Sequence, residues 1–188
     1  MKTPHIAAPR IAVLGLGNLM RTDDAVGMLA LQQLRADPRF PQAVPLIEGG
    51  TLGLDLIYPL EGVTHLLALD AIDAGARPGM LLRYSGEEID DLPVSKSVHL
   101  LGFSDLIGAM RLVESAPTEI VVLGIQPELI EWGTRLTSTV EAALVTLVET
   151  AIGQVMRWSL EIAGEPRQEL TAQVVVPHLA AAEETWYW

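Results

Sequence analysis

Short uninterrupted apolar runs alternate with helix-period stretches along most of the chain, and this alternation constrains the fold more than any other feature. The runs IAVLGL (11–16), AVPLIE (43–48), HLLALD (65–70) and EIVVLGI (119–125) show no wet face, and GMLLRY (79–84), opened by the turn signal RPG, reads as a further strand. A strand that is apolar throughout must be covered on both sides, which is the condition of a parallel sheet rather than of an antiparallel sheet with one face in water. Between the runs lie helical patterns at Asp24–Arg35, about His99–Val113 and about Thr134–Ala163. A short amphipathic stretch occupies 52–60 and a polar loop 85–97. The expectation is an α/β fold: one domain over residues 1–163, a three-layer sandwich with a twisted, mostly parallel sheet of about five strands and helices on both faces. The tail 164–188 breaks the pattern at Gly164 and Pro166, and no structure is assigned to it.

Composition narrows the partners. With 49% hydrophobic residues in 188, the chain can bury a core, and its formal net charge of −12 argues against nucleic acid and anionic membranes as partners, since both require a basic face. The absence of cysteine removes disulfides, thiolate zinc sites and a thiol nucleophile. The start, MKTPHIAAPR, lacks the apolar segment of a secretory signal, and no uninterrupted run of about 18 apolar residues suggests a membrane span. A cytoplasmic protein without membrane insertion is expected.

Parallel α/β folds place their sites at the carboxyl ends of the strands. The residues expected there are Gly15, Gly17 and Asn18 after the first strand, Glu48, Gly49 and Gly50 after the second, Asp70 and Asp73 after the third, and Gly124 to Glu128 after the fifth. The loop GLGNLMRTDDAVG starts like a dinucleotide-binding loop but departs from it. Met20 stands where the fingerprint needs a third small residue for close helix–strand packing, and Asp23 and Asp24 would repel a pyrophosphate. Glu48 alone mimics the ribose-binding acid. No lysine follows the glycines, so a phosphate-transfer loop has no better support. Capping of the helix that follows accounts for one aspartate and leaves the other spare.

Asp24, Asp70 and His99 stand out together. Asp70 closes an apolar strand, where packing gives no reason for an acid, and His99 follows the polar loop. His5 and His178 lie in terminal segments, and His65 opens a strand at the opposite edge. Two carboxylates and an imidazole suit a borderline divalent metal with open coordination positions. The same acids could instead share a proton as in aspartic proteases, and spacing does not choose between the two.

Five motifs in order, GLGNLMRTDDAVG, EGGTLGLDL, LLALDAIDAGARPG, SVHLLGF and VVLGIQP, resemble those of the hydrogenase maturation endopeptidases over about residues 11–150. One departure is Ala25, where many members carry glycine. The resemblance implies an endopeptidase, a protein-processing hydrolase of metal-dependent and aspartyl protease type. Its partner would be the large-subunit precursor of a [NiFe] hydrogenase, which loses a C-terminal extension after nickel insertion. It further implies that nickel, supplied by the substrate, is recognised by Asp24, Asp70 and His99, with Asp24 and Asp70 as the catalytic acids and Asp23 as the helix cap. Attack by water is expected, activated either by the metal or by a carboxylate acting as base. Gly17, Asn18, Gly49, Gly50, Asp73, Gly124, Gln126 and Pro127 would line the peptide groove. Two other readings remain at this point: a nickel-dependent escort that binds the large subunit without cutting it, and a dinucleotide-binding oxidoreductase.

Overall fold

The computed structural model describes residues 10–92 and 98–164. The apolar runs form one five-stranded sheet: β1 (Ile11–Leu16), β2 (Leu46–Gly50), β3 (His65–Ala71), β4 (Leu81–Ser85) and β5 (Glu119–Ile125). The helices are α1 (Val26–Ala36), α2 (Val98–Leu112) and α3 (Ser138–Ala163). The strand order is β2-β1-β3-β5-β4, parallel except for β4, which pairs antiparallel with β5 at the edge.

The two-residue period of the strands explains why the runs carry no wet face. Val13, Leu67, Leu69, Val121 and Leu123 enter one core with α1 and α3. Their neighbours Ala12, Leu14, Leu66, Ala68 and Val122 enter a second core with Phe103, Leu106 and Met110 of α2. Successive side chains point to opposite faces, so a sheet covered twice needs an apolar residue at every position.

Some boundaries differ from the sequence reading. A 3₁₀ turn at Thr22–Ala25 precedes α1, so Asp24 stands before the α-helix rather than opening it. Gly49 and Gly50 are the last residues of β2 rather than loop residues beyond it, and Glu48 lies within the strand, paired at 2.9 Å with Arg35. The pattern expected from Thr134 becomes helical only at Ser138, where Thr137 caps α3 by accepting the Val140 N–H at 3.4 Å. Gly164 closes α3 with a left-handed φ of 79°, a conformation glycine adopts without penalty. By length and composition α3 could cross a membrane, with a mean hydropathy of 1.3. In this fold it lays Val140, Leu147, Ala151 and Val155 against the sheet and α1. The proposed tail from residue 165 onward, and with it His178, lies outside the described residues, as do His5 and the end of the polar loop.

The chain leaves β1 for β2 on one side and returns to β3 on the other. The connections after β1 and β3 therefore diverge, which makes the carboxyl ends of these two strands the switch point of the sheet. Asp24 follows one of them and Asp70 closes the other.

Candidate active site

The approach of Asp24 to this edge depends on a glycine. Gly17 leaves β1 with a φ of 115°, and a Cβ built on it would lie 1.9 Å from the carbonyl oxygen of Asp24. Only glycine combines that conformation with a chain crossing this close. The turn that follows is an Asx turn, in which Asn18 Oδ1 accepts the Met20 N–H at 2.9 Å. The Asn18 N–H itself donates to Asp24 Oδ2 at 3.1 Å.

His99, the second residue of α2, places Nε2 2.9 Å from the same Asp24 oxygen. Both side chains are almost fully enclosed, 9% and 8% exposed. The bond to Asp24 raises the imidazole above its ordinary range against the effect of burial. The charges of Asp24 and Asp70 act in the same direction, and Arg21 opposes them.

Asp70, opposite Gly124 in the β3–β5 ladder, is fully buried. Its Oδ1 accepts the N–H of Ala71 at 2.8 Å, and its Oδ2 has no hydrogen-bond partner among the described residues. Burial pushes the carboxyl up to about 7, countered by the charge of His99 and the Ala71 bond, while the negative charge of Asp24 pushes it further up. All three candidate residues thus meet in one electrostatic environment. His99 Nδ1 is likewise buried without a partner among the described residues. A buried carboxylate oxygen without a donor is costly, and such atoms concentrate where chemistry is done.

The three do not form a ready metal cage. Among the described residues, no group of three or more His, Cys, Asp or Glu stands in position to hold an ion. The direct bond between Asp24 and His99 occupies atoms that an ion would use. The donor chemistry, two carboxylates and one imidazole, fits a borderline divalent ion, and the orphaned Asp70 Oδ2 is a donor in waiting.

Other expected residues have different surroundings. Gln126 Oε1 accepts the N–H groups of Ala74 and Ala76 at 2.9 and 3.0 Å, and its Nε2 donates to Asp73 Oδ1 at 3.0 Å. Asp73 and Gln126 therefore knit the loop after β3 to the end of β5. Gly124 is packed tightly, since a Cβ there would meet Ile72 at 2.4 Å. Gly49 is equally tight against Leu14, at 2.7 Å, and Gly50 adopts a φ of 51°. Pro127 gives its carbonyl to Gln126 Nε2 at 3.4 Å. His65 stands at the amino end of β3, away from this edge, edge-on to Trp158 with ring centres 5.3 Å apart.

Two expectations about the β1–α1 loop are corrected. Met20 does not contact the helix–strand joint; it is exposed, and Gly27 makes the close approach, where a Cβ would lie 2.2 Å from Leu69 O and 2.5 Å from Leu16 O. Asp23 is not a cap of the helix that follows it. No side chain caps that 3₁₀ turn, and the Asp23 carboxylate instead bonds Glu128, Leu129 and Thr137. Sequence reading missed Thr137 and Arg21 as neighbours of the site. The one local signal was Thr137 itself, a good N-cap residue ahead of a helical pattern.

Residues 28–154 match the model of a family described as hydrogenase maturation protease. The hydrogenase 2 maturation protease of Escherichia coli K12 is 35% identical over 149 residues, covering 78% of this chain and 88% of that protein. The hydrogenase expression/formation protein HupD of Bradyrhizobium diazoefficiens is 33% identical over 156 residues, 81% of each. In structure, the chain is similar to the hydrogenase maturating endopeptidase HybD from E. coli, with a TM-score of 0.73 at 32% identity over 82% of this chain and 94% of that one.

Proposed function

The chain belongs to the hydrogenase maturation protease family, and from that premise we propose that it removes the C-terminal extension of a nickel-loaded [NiFe] hydrogenase large-subunit precursor in the cytoplasm. The observation that carries this reading is the meeting of Asp24 and His99 at 2.9 Å beside the buried, half-unpartnered carboxyl of Asp70. The nickel is part of the substrate. Asp24, Asp70 and His99 are the residues that would hold it, and it would polarise the scissile carbonyl or acidify a water. This chain has no thiolate, so most of the coordination comes from the precursor.

The protein's own share of the chemistry is proton handling and positioning. With no cysteine and no Ser–His–Asp signature, water is the nucleophile. If instead the nickel only positions the peptide and leaves Asp70 uncoordinated, its carboxyl at about 7 is suited to take a proton from attacking water and return it to the leaving amine. The pairing of two acids in one enclosed site supports an aspartic-type assignment for the peptidase. His99 holds the Asp24 carboxylate in place, and the Asn18 N–H fixes it from the other side. Asn18, Gly50 and Asp73, partly exposed at this edge, are proposed to shape the groove for the peptide, with Gly17, Gly49, Gly124, Gln126 and Pro127 buried behind them.

Incubation of the protein with nickel-loaded and nickel-free precursor, read by intact-mass spectrometry, tests the proposal. Loss of the C-terminal mass from the loaded precursor alone is expected. A stable complex with no mass change would instead make the protein an escort.

A further inference from the structure

Asp23 sits next to Asp24, is fully buried, and has no part in the chemistry proposed above. Its Oδ2 accepts the N–H groups of Glu128 and Leu129, both at 2.9 Å, and the Thr137 hydroxyl at 3.0 Å. Its Oδ1 accepts the Thr137 N–H at 2.7 Å. All four donors belong to the connection between β5 and α3. Hydrogen bonds to an ionised carboxylate are roughly twice as strong as neutral ones, so one side chain closes the whole loop onto the turn after β1.

Thr22 completes the joint. Its hydroxyl donates to Leu129 O at 2.7 Å and accepts the Glu131 N–H at 3.0 Å, and its own N–H reaches Gly133 O at 2.9 Å. The Gly133 N–H returns to Met20 O at 3.0 Å. Thr22 holds a φ of +26°, an unfavourable conformation for a β-branched residue, which surrounding bonds must maintain. The joined loops present Leu19, Met20, Leu129 and Trp132 to solvent, with Trp132 82% exposed, and they carry Asp24 on their inner side.

We propose that Asp23 is a positioning residue for the peptidase reaction: it locks the loop bearing Leu129 and Trp132 to the turn bearing Asp24, so that a precursor segment resting on this apolar strip is brought into register with Asp24. The inference rests on the proposed peptidase reading. A carboxylate with four donors does more than cap a turn, which needs one or two, and it joins residues more than a hundred positions apart in the chain.

The test uses the full chain. Asp23→Asn keeps the shape but turns an amide NH₂ toward at least one N–H donor. Faster amide exchange at Glu128, Leu129 and Thr137 is expected, with a loss in kcat/KM on nickel-loaded precursor of about tenfold or more. Trp132→Ala is expected to raise KM in the wild type and to add little in the Asp23→Asn background, because the coupling it depends on is already lost. Should Asp23→Asn not fold, Thr137→Val removes the hydroxyl donor to Asp23, together with its capping bond from Val140, and supports the same double-mutant comparison. Additive effects of the two substitutions, or wild-type kinetics in an Asp23→Asn protein whose loop has loosened, would overturn the positioning role alone. A wild-type protein that leaves the loaded precursor uncut would overturn the peptidase reading and this role with it.

Discussion

The imidazole of His99 lies 2.9 Å from the carboxylate of Asp24, although 75 residues separate them in the chain. Each side chain is almost fully enclosed, so neither has water to replace the other. Replacing His99 by Gln is expected to stop precursor processing. Because the pairing raises the His99 pKa, the stabilisation from its charged form is fully present below about 6.5 and lost as pH rises through the raised value. Thermal melts of wild type and His99→Gln across pH 6 to 9 should therefore converge toward the alkaline end. Parallel curves would mean that the imidazolium contributes nothing to folding.

Replacing Asp70 is expected to trade activity for stability. An unfolded aspartate loses its proton near 3.8, whereas this buried one keeps it to about 7. Between those values the folded state binds more protons, so stability falls as pH rises, by on the order of 4 kcal/mol if the whole shift is realised. Asp70→Asn cannot ionise and escapes this loss. It is expected to abolish processing and to gain stability relative to wild type between pH 5.5 and 8. Urea titrations at the two pH values, alongside a cleavage assay, check both halves; a variant that cleaves at the wild-type rate would remove Asp70 from the site.

Cleavage is expected to require nickel bound within the precursor. A precursor lacking its metal-binding cysteines should resist the protease even with nickel added to the solution, since the protein has no thiolates with which to hold the ion alone. Mass spectrometry of both precursors after incubation reads the outcome directly. Efficient cutting of a metal-free precursor would show that the two acids work without an ion.

Two glycines predict opposite responses to the same substitution. A Cβ on Gly27 would press on two backbone carbonyls, and neither can move without shifting α1 off the sheet. Gly27→Ala should cost about 1–3 kcal/mol or more. Gly108 lies within α2 with nothing inside 4 Å of its added Cβ, so Gly108→Ala should stabilise by roughly 0.5–1 kcal/mol through helix propensity. Chemical denaturation of the two variants decides, and a neutral Gly27→Ala would mean that the α1–sheet contact yields more easily than the geometry indicates.

Much of the fold was legible in the order of residues. Continuous apolar runs identify strands buried on both faces, and the helical patterns between them identify what covers those faces. Asp70 was legible as a candidate site residue because an acid at the end of such a run has no packing role. The antiparallel direction of β4 was not legible. GMLLRY has the same apolar character as its parallel neighbours, and direction follows from how the loop between residues 72 and 80 returns to the edge.

The pair Asp23 and Asp24 marks where sequence stops and tertiary structure takes over. Two identical side chains, adjacent in one loop, have the same propensities, and only the motif resemblance separated them, giving Asp24 the metal and Asp23 the helix cap. The fold sends one carboxylate to four donors of the β5–α3 loop and the other to Asn18 and His99. The close helix–strand contact likewise falls to Gly27 and not to Met20's position, because it depends on where α1 crosses the sheet. Periodicity encodes which faces of an element are buried, since burial repeats with the geometry of the backbone. The partner of a single polar group is set by the meeting of segments far apart in the chain, and that information exists only once they have met.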